Sequence, residues 1–200
     1  MIEFWRSRRV GLVIVAAVAV EFSMLAWAWR AFKVPHEGLL IAVPLAVPAQ
    51  MLTVAIALYS TSSAFRALET SAHRSLVMPR LMTLGIQAGA ILAPTAFVCV
   101  VIGDSGTLGV YAPLKALLGA WGLGLIGSFV IDRRLAGLIG LVPLVAPLVL
   151  NPHGRPFASV WAFATAKDSD STAWLTAGAL FAIGAVLHVG WERLPRAQMT

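Results

Sequence analysis

Read for the spacing of apolar and polar positions, the chain divides into six apolar runs: residues 10–29, 39–59, 81–102, 110–131, 135–150 and 173–191. A helix rising about 1.5 Å per residue needs about 20 apolar residues to cross a hydrocarbon core of about 30 Å. Five runs meet or approach that length, and 135–150 is the short one. The pattern predicts an all-α membrane protein with six transmembrane helices, organised as a single domain over residues 1–200.

Polar and helix-breaking positions inside the runs refine this picture. Gly85-x-x-x-Gly89, Gly124-x-x-x-Ser128, Ala136-x-x-x-Gly140 and Gly178-x-x-x-Ala182 place small residues on one helix face. Such faces let backbones approach closely where lipid supplies no hydrophobic drive. Pro44 and Pro48 in the second run, Pro94 in the third, and Pro143 and Pro147 in the fifth each remove a helical hydrogen bond and predict kinks.

Two segments between runs stand out. Residues 60–80 open with a Ser/Thr cluster able to cap a helix and end near Pro79. Phe65, Leu68, Ala72 and Leu76 recur there at helical spacing, with Arg66, Glu69, His73 and Arg74 as the polar remainder. This predicts a short amphipathic inner helix between spans 2 and 3, resting on lipid or docking on protein. Residues 151–172 contain the apolar stretch 156–166, too short to span and too apolar for an ordinary loop. With Phe157, Trp161 and Phe163 as its large side chains, it predicts a re-entrant outer segment between spans 5 and 6, beginning at the turn Asn151-Pro152-His153-Gly154.

Charge sets the orientation. With the amino terminus inside, the inner segments carry Arg6, Arg8, Arg9, Arg66, Arg74, Arg80, Arg133, Arg134, Arg193 and Arg196. The outer ones carry Arg30, Lys33, Lys115, Arg155 and Lys167. This split obeys the positive-inside rule and places both termini in the cytoplasm. The net charge of +6 is thus divided among short inner segments rather than gathered into a nucleic-acid surface. At 59% hydrophobic and 12% charged residues, the chain leaves no segment large enough for a soluble catalytic domain. The basic start and Ala26-Trp27-Ala28 resemble a signal peptide, but the apolar run is too long for one and contains Glu21. Trp5, Trp27, Trp29, Tyr59, Trp174 and Trp191 fall near span ends, as interface anchors do.

Candidate chemistry is sparse. Glu21 lies near the middle of the first span, where an acidic side chain costs about 2.5–3.5 kcal/mol, so it must face the bundle, a cavity or a partner. It reads either as a polar contact for a cationic substrate or a proton, or as a hydrogen-bonded lock between helices. Gln50 and Gln87 are candidate interhelical partners on the same path. The lone Cys99 offers neither a disulfide nor a metal cluster, and no metal site is expected. Gly103-Asp104-Ser105-Gly106 with His188 superficially resembles the serine and histidine of rhomboid proteases. The serine falls in an outer loop and His188 near the inner face, so no catalytic residue is assigned.

Six spans, an inner amphipathic helix after the second and a re-entrant segment after the fifth form a plan that resembles the ABC type-2 exporter permeases. The stretch Leu68-Glu69-Thr-Ser-Ala72-His73-Arg74-Ser-Leu76 is similar to the coupling-helix region of small bacterial members, in which a Leu-Glu pair precedes a basic residue and a leucine. The resemblance implies that this helix docks on a nucleotide-binding subunit, with Arg66, Glu69, His73 and Arg74 as ATPase-coupling contacts. It implies a multi-pass subunit of the bacterial plasma membrane, paired with a second permease chain, the same or different. Such a pair exports an amphipathic or hydrophobic substrate, such as a peptide, antibiotic or lipid-like molecule, by alternating access. The chain has no Gly-x-x-x-x-Gly-Lys-Ser/Thr, so ATP and Mg would be held by a partner ATPase and no cofactor by this chain. The alternatives are the substrate-capture subunit of an energy-coupling-factor vitamin importer, or a nontransporting membrane assembly subunit. The first usually carries Ala-x-x-x-Ala on its first span, which residues 10–29 lack.

Overall fold

The computed structural model describes residues 10–27, 31–36, 39–44, 46–61, 77–102, 109–131, 133–150 and 157–190. These form α1 (Val10–Trp27), β1 (Ala31–His36), β2 (Leu39–Pro44), α2 (Ala46–Thr61), α3 (Val77–Ile102), α4 (Ala112–Gly127), α5 (Arg133–Ile139), α6 (Val142–Leu150), α7 (Ala158–Trp161), a 3₁₀ turn (Phe163–Thr165) and α8 (Ser171–Gly190). The chain is predominantly helical, as its periodicity predicts. Two segments among the described residues, Val77–Val101 and Ser171–Gly190, are helices long and apolar enough to cross a membrane. Among the described residues the expectation of six such spans is not supported.

The shortfall has local causes. The second apolar run begins as a strand: β2 pairs antiparallel with β1 in a register running from Ala31 opposite Pro44 to His36 opposite Leu39. Within that run helix begins only at Ala46, and α2 (Ala46–Thr61) is about 24 Å long. Val34, Ile41 and Val43 favour strand, and the sequence between the paired ends is Glu37-Gly38, a hairpin-length connection. Pro44 therefore ends a strand and Pro48 lies in the first turn of α2, where no helical hydrogen bond is lost. Neither kinks a span. The fifth run breaks into α5 and α6, of 7 and 9 residues, at a turn where Gly140 and Leu141 donate to Gly137 and Leu138. Pro143, in the first turn of α6, has no N–H to carry the helix through that break. Pro94 does lie inside α3. Beside it the Thr95 hydroxyl donates to the Ile91 carbonyl at 2.8 Å, supplying a bond to the loosened turn.

Helix α4 is the centre of the molecule. Twelve of its 16 residues are buried, and α2, α5, α8 and the 3₁₀ turn all pack on it. Glycines make that possible. A Cβ at Gly122 would stand 2.3 Å from the Leu180 carbonyl carbon and 2.4 Å from the Phe181 nitrogen, and one at Gly184 would stand 2.7 Å from the Gly122 oxygen. The α4–α8 crossing is thus backbone against backbone, sealed by Trp121 set edge-on to Phe181 at 5.5 Å. Gly124 accommodates Leu58 of α2, and Gly140 lies 3.1 Å (at its added Cβ) from the Ala120 carbonyl. By contrast Gly85, Gly89 and Gly178 have no neighbour within 4 Å of a Cβ among the described residues, so two of the four expected small-residue pairs take no part in packing among those residues. The outward faces are apolar: Val15 on α1, Phe97 on α3, and Leu175 and Val186 on α8 are all more than half exposed.

Gly122→Ala is expected to destabilise the protein by about 1–3 kcal/mol, because the backbone it meets cannot yield. Gly178→Ala, which meets nothing, should be neutral or gain up to about 1 kcal/mol from helix propensity. Thermal unfolding of both variants in one detergent checks the pair, and equal effects would contradict the packing.

Candidate functional site

Helix α1 is apolar along its length except for Glu21 and Ser23, and Glu21 is fully buried. It is satisfied from α2. Gln50 Nε2 donates to Glu21 Oε2 at 3.1 Å, and the Thr53 hydroxyl donates to Oε1 at 3.1 Å. A three-residue spacing puts Gln50 and Thr53 on one face of α2, aimed at a single carboxyl. Thr95 of α3 approaches the same carboxyl from a third side. Gln87 lies about two turns earlier on the buried face of α3, which also carries Thr83 and Arg80. Among the described residues no cation lies within ion-pair distance of Glu21.

Of the sequence-predicted site residues, Glu21, Gln50 and Gln87 are therefore all buried in the α1–α2–α3 part of the bundle, and Glu21 and Gln50 touch. Thr53 and Thr95 complete the centre and were not singled out by sequence. Their signal is the i, i+3 spacing from Gln50 and the position after a helix-interior proline. Arg66, Glu69, His73 and Arg74 lie outside the described residues, as do Gly103, Asp104, Ser105 and Gly106. His188 is buried in the last turn of α8. Cys99 is a free, buried thiol on α3. No group of three or more His, Cys, Asp or Glu side chains able to hold a metal occurs among the described residues.

The expected re-entrant segment is a short, folded-in piece. Phe157 is exposed and takes a left-handed backbone (φ 59°), Trp161 is half-buried, and Phe163 is buried. Phe163 seats its ring against Gly119 of α4, where a Cβ would stand 2.1 Å from the ring. The segment is held there by a residue that charge counting had treated as an outer loop cation. Lys115, in the first turn of α4, is fully buried; its Nζ donates to the carbonyls of Ala166 (2.6 Å) and Lys167 (3.0 Å). The same ammonium faces Asp168 Oδ1 at 3.6 Å and the Trp174 ring at 5.9 Å. Asp168 in turn accepts from the Tyr111 N–H at the start of α4, and Trp174 Nε1 donates to the Asp168 carbonyl at 3.1 Å. Gly109 (φ 97°) has to be glycine, since a Cβ there would overlap the Asp168 carboxylate. Asp170 caps α8, accepting from the N–H groups of Thr172 (3.0 Å) and Ala173 (3.2 Å). A hydrogen bond from the Ser159 side chain, then those helix N–H groups, hold its carboxyl below the usual aspartate value.

No protein-family model, curated protein or solved structure matches the chain.

Lys115→Met is expected to leave two carbonyls and Asp168 without their cation and to destabilise this clamp by about 1–3 kcal/mol. In a Cys99→Ser background, a cysteine at the buried position Ala164 should gain reactivity toward a membrane-impermeant maleimide when Lys115 is replaced. Unchanged protection would contradict the clamp.

Proposed function

We propose that this chain is the membrane-spanning subunit of an ATP-driven exporter built on the ABC type-2 plan, located in the bacterial plasma membrane and doing no covalent chemistry. The observation that carries the reading is the buried Glu21 centre. Three helices with apolar outward faces close around one carboxyl that no charge neutralises among the described residues. A carboxyl in such a place costs about 2.5–3.5 kcal/mol on insertion, and intramembrane ionisable groups mark substrate or ion paths more often than they serve as ballast. The folded-in segment 157–166, clamped at the end of the bundle where α4 and α8 begin, supports a re-entrant outer element before the last span. Gly85 and Gly89, small and outward-facing on α3, suit close approach by a second permease chain.

In this reading the substrate occupies a cavity between two permease chains. ATP-dependent pairing of the attached ATPase subunits rocks the halves toward outward release, with ATP and Mg bound on those partners. Arg66, Glu69, His73 and Arg74 transmit the motion from an inner helix. The importer-subunit and assembly-subunit alternatives predict other companions: a large coupling protein in the first case, and no transport activity in the second.

Charge reversal on the inner segment separates these readings. Glu69→Lys, or Arg66→Glu with Arg74→Glu, places unpaired charge at the docking groove, where losing a partner costs about 2–5 kcal/mol. Copurification of the ATPase and substrate-stimulated hydrolysis should both fall at least tenfold at matched membrane abundance. Wild-type values in both assays would remove the coupling assignment.

A further inference from the structure

Hydrogen-bond accounting at Glu21 leaves one conspicuous remainder. Gln50 spends its amide nitrogen on Glu21 Oε2, yet its Oε1, in a side chain only 1% exposed, has no donor among the described residues. A buried acceptor left unsatisfied costs about 1–3 kcal/mol. An ionised carboxylate cannot help it, because it only accepts. Turning the amide over does not help either, since that sets Oε1 against Oε2, two acceptors with no proton between them. A carboxylic acid removes the conflict. Its O–H and C=O present a donor and an acceptor side by side, complementary to the C=O and N–H of a primary amide. The Thr53 hydroxyl can still donate to the protonated oxygen, which retains a lone pair.

We propose that Glu21 is a proton-binding site: in the closed bundle it carries a proton and forms a cyclic acid–amide pair with Gln50, exchanging that proton only when α1 parts from α2 and α3. The site rests on this geometry and holds whether or not the chain couples to an ATPase. It converts the carboxyl from a buried charge into a neutral cross-link, and it ties proton release to separation of the helices. The groups facing it are few. Helix α1 contributes no other titratable side chain, and α2 contributes Tyr59, about 9 Å along the helix beyond Thr53. Helix α3 contributes Cys99, close enough to interact with Glu21, and Arg80 about 22 Å along the helix from Thr95. A cationic substrate has no room while the carboxyl is fully enclosed.

Infrared spectroscopy of the full chain in lipid vesicles at neutral pH tests the site. The wild type should show a protonated-carboxyl C=O band that shifts in D₂O more slowly than exposed carboxyls do, and that is lost in Glu21→Gln. The Glu21→Gln fold should persist, because two amides can form the same cyclic pair. In Gln50→Leu the band should remain and move to higher frequency, since the carbonyl loses its N–H partner. Absence of any Glu21-dependent protonated band overturns the proposal. So does a Glu21-dependent rise in melting temperature when choline chloride is replaced by sodium chloride, which would assign the site to a metal cation. Because neither readout involves an ATPase, these outcomes are independent of the coupling test.

Discussion

A carboxyl group enclosed by apolar helices has to find every hydrogen bond inside the protein, and this requirement organises the amino-terminal half of the fold. Glu21 alone gives α1 a reason to sit in one rotation against its neighbours, because the remainder of the helix is nearly uniformly apolar. Gln50 and Thr53 meet it from α2, and Thr95 from α3. Each hydrogen bond that Gln50 and Thr53 make to the neutral acid contributes about 0.5–1.5 kcal/mol. Non-directional packing cannot choose among rotations of an apolar cylinder, but a single buried acid with directed partners can.

The carboxyl-terminal half is organised by the opposite device, the removal of side chains. Gly119, Gly122 and Gly184 let Phe163 and the backbone of α8 settle directly on α4. That contact gives many small dispersion gains and little directional information. Lys115 supplies the direction, fastening residues 166–168 to the first turn of α4 while Asp168 ties down the turn before it. A cation in the first turn opposes the helix dipole, and the carbonyls and carboxylate around it offset that cost. The two halves meet through α2, which carries the polar centre on one face and seats Leu58 against Gly124 on another.

Much of this was legible in the residues. Run lengths announced α1, α3, α4 and α8 within a few positions, and the cost of an acid in a span announced the burial of Glu21. The interfacial stretch 156–166 announced a piece too short to cross, and Phe163 is indeed folded in. What escaped is instructive. Apolar content alone does not distinguish a strand from a helix start, so β2 was read as the opening of a span although its valines and isoleucine were visible. Small-residue spacing does not say which face is occupied: Gly85 and Gly89 fit the motif and touch nothing among the described residues, whereas Gly122 and Gly184 carry the main crossing. Lys115 looked like a loop charge because charge counting ignores the carbonyls that three-dimensional folding brings to it.

The central claim is that Glu21 and Gln50 act as one buried unit. A double-mutant cycle measures it most directly: unfolding free energies of Glu21→Leu, Gln50→Leu and the combined variant, in one detergent at one pH. The account predicts that the loss from Gln50→Leu largely disappears once Glu21 is leucine, giving a coupling of about 1–3 kcal/mol. Losses that add to within about 0.5 kcal/mol would contradict it.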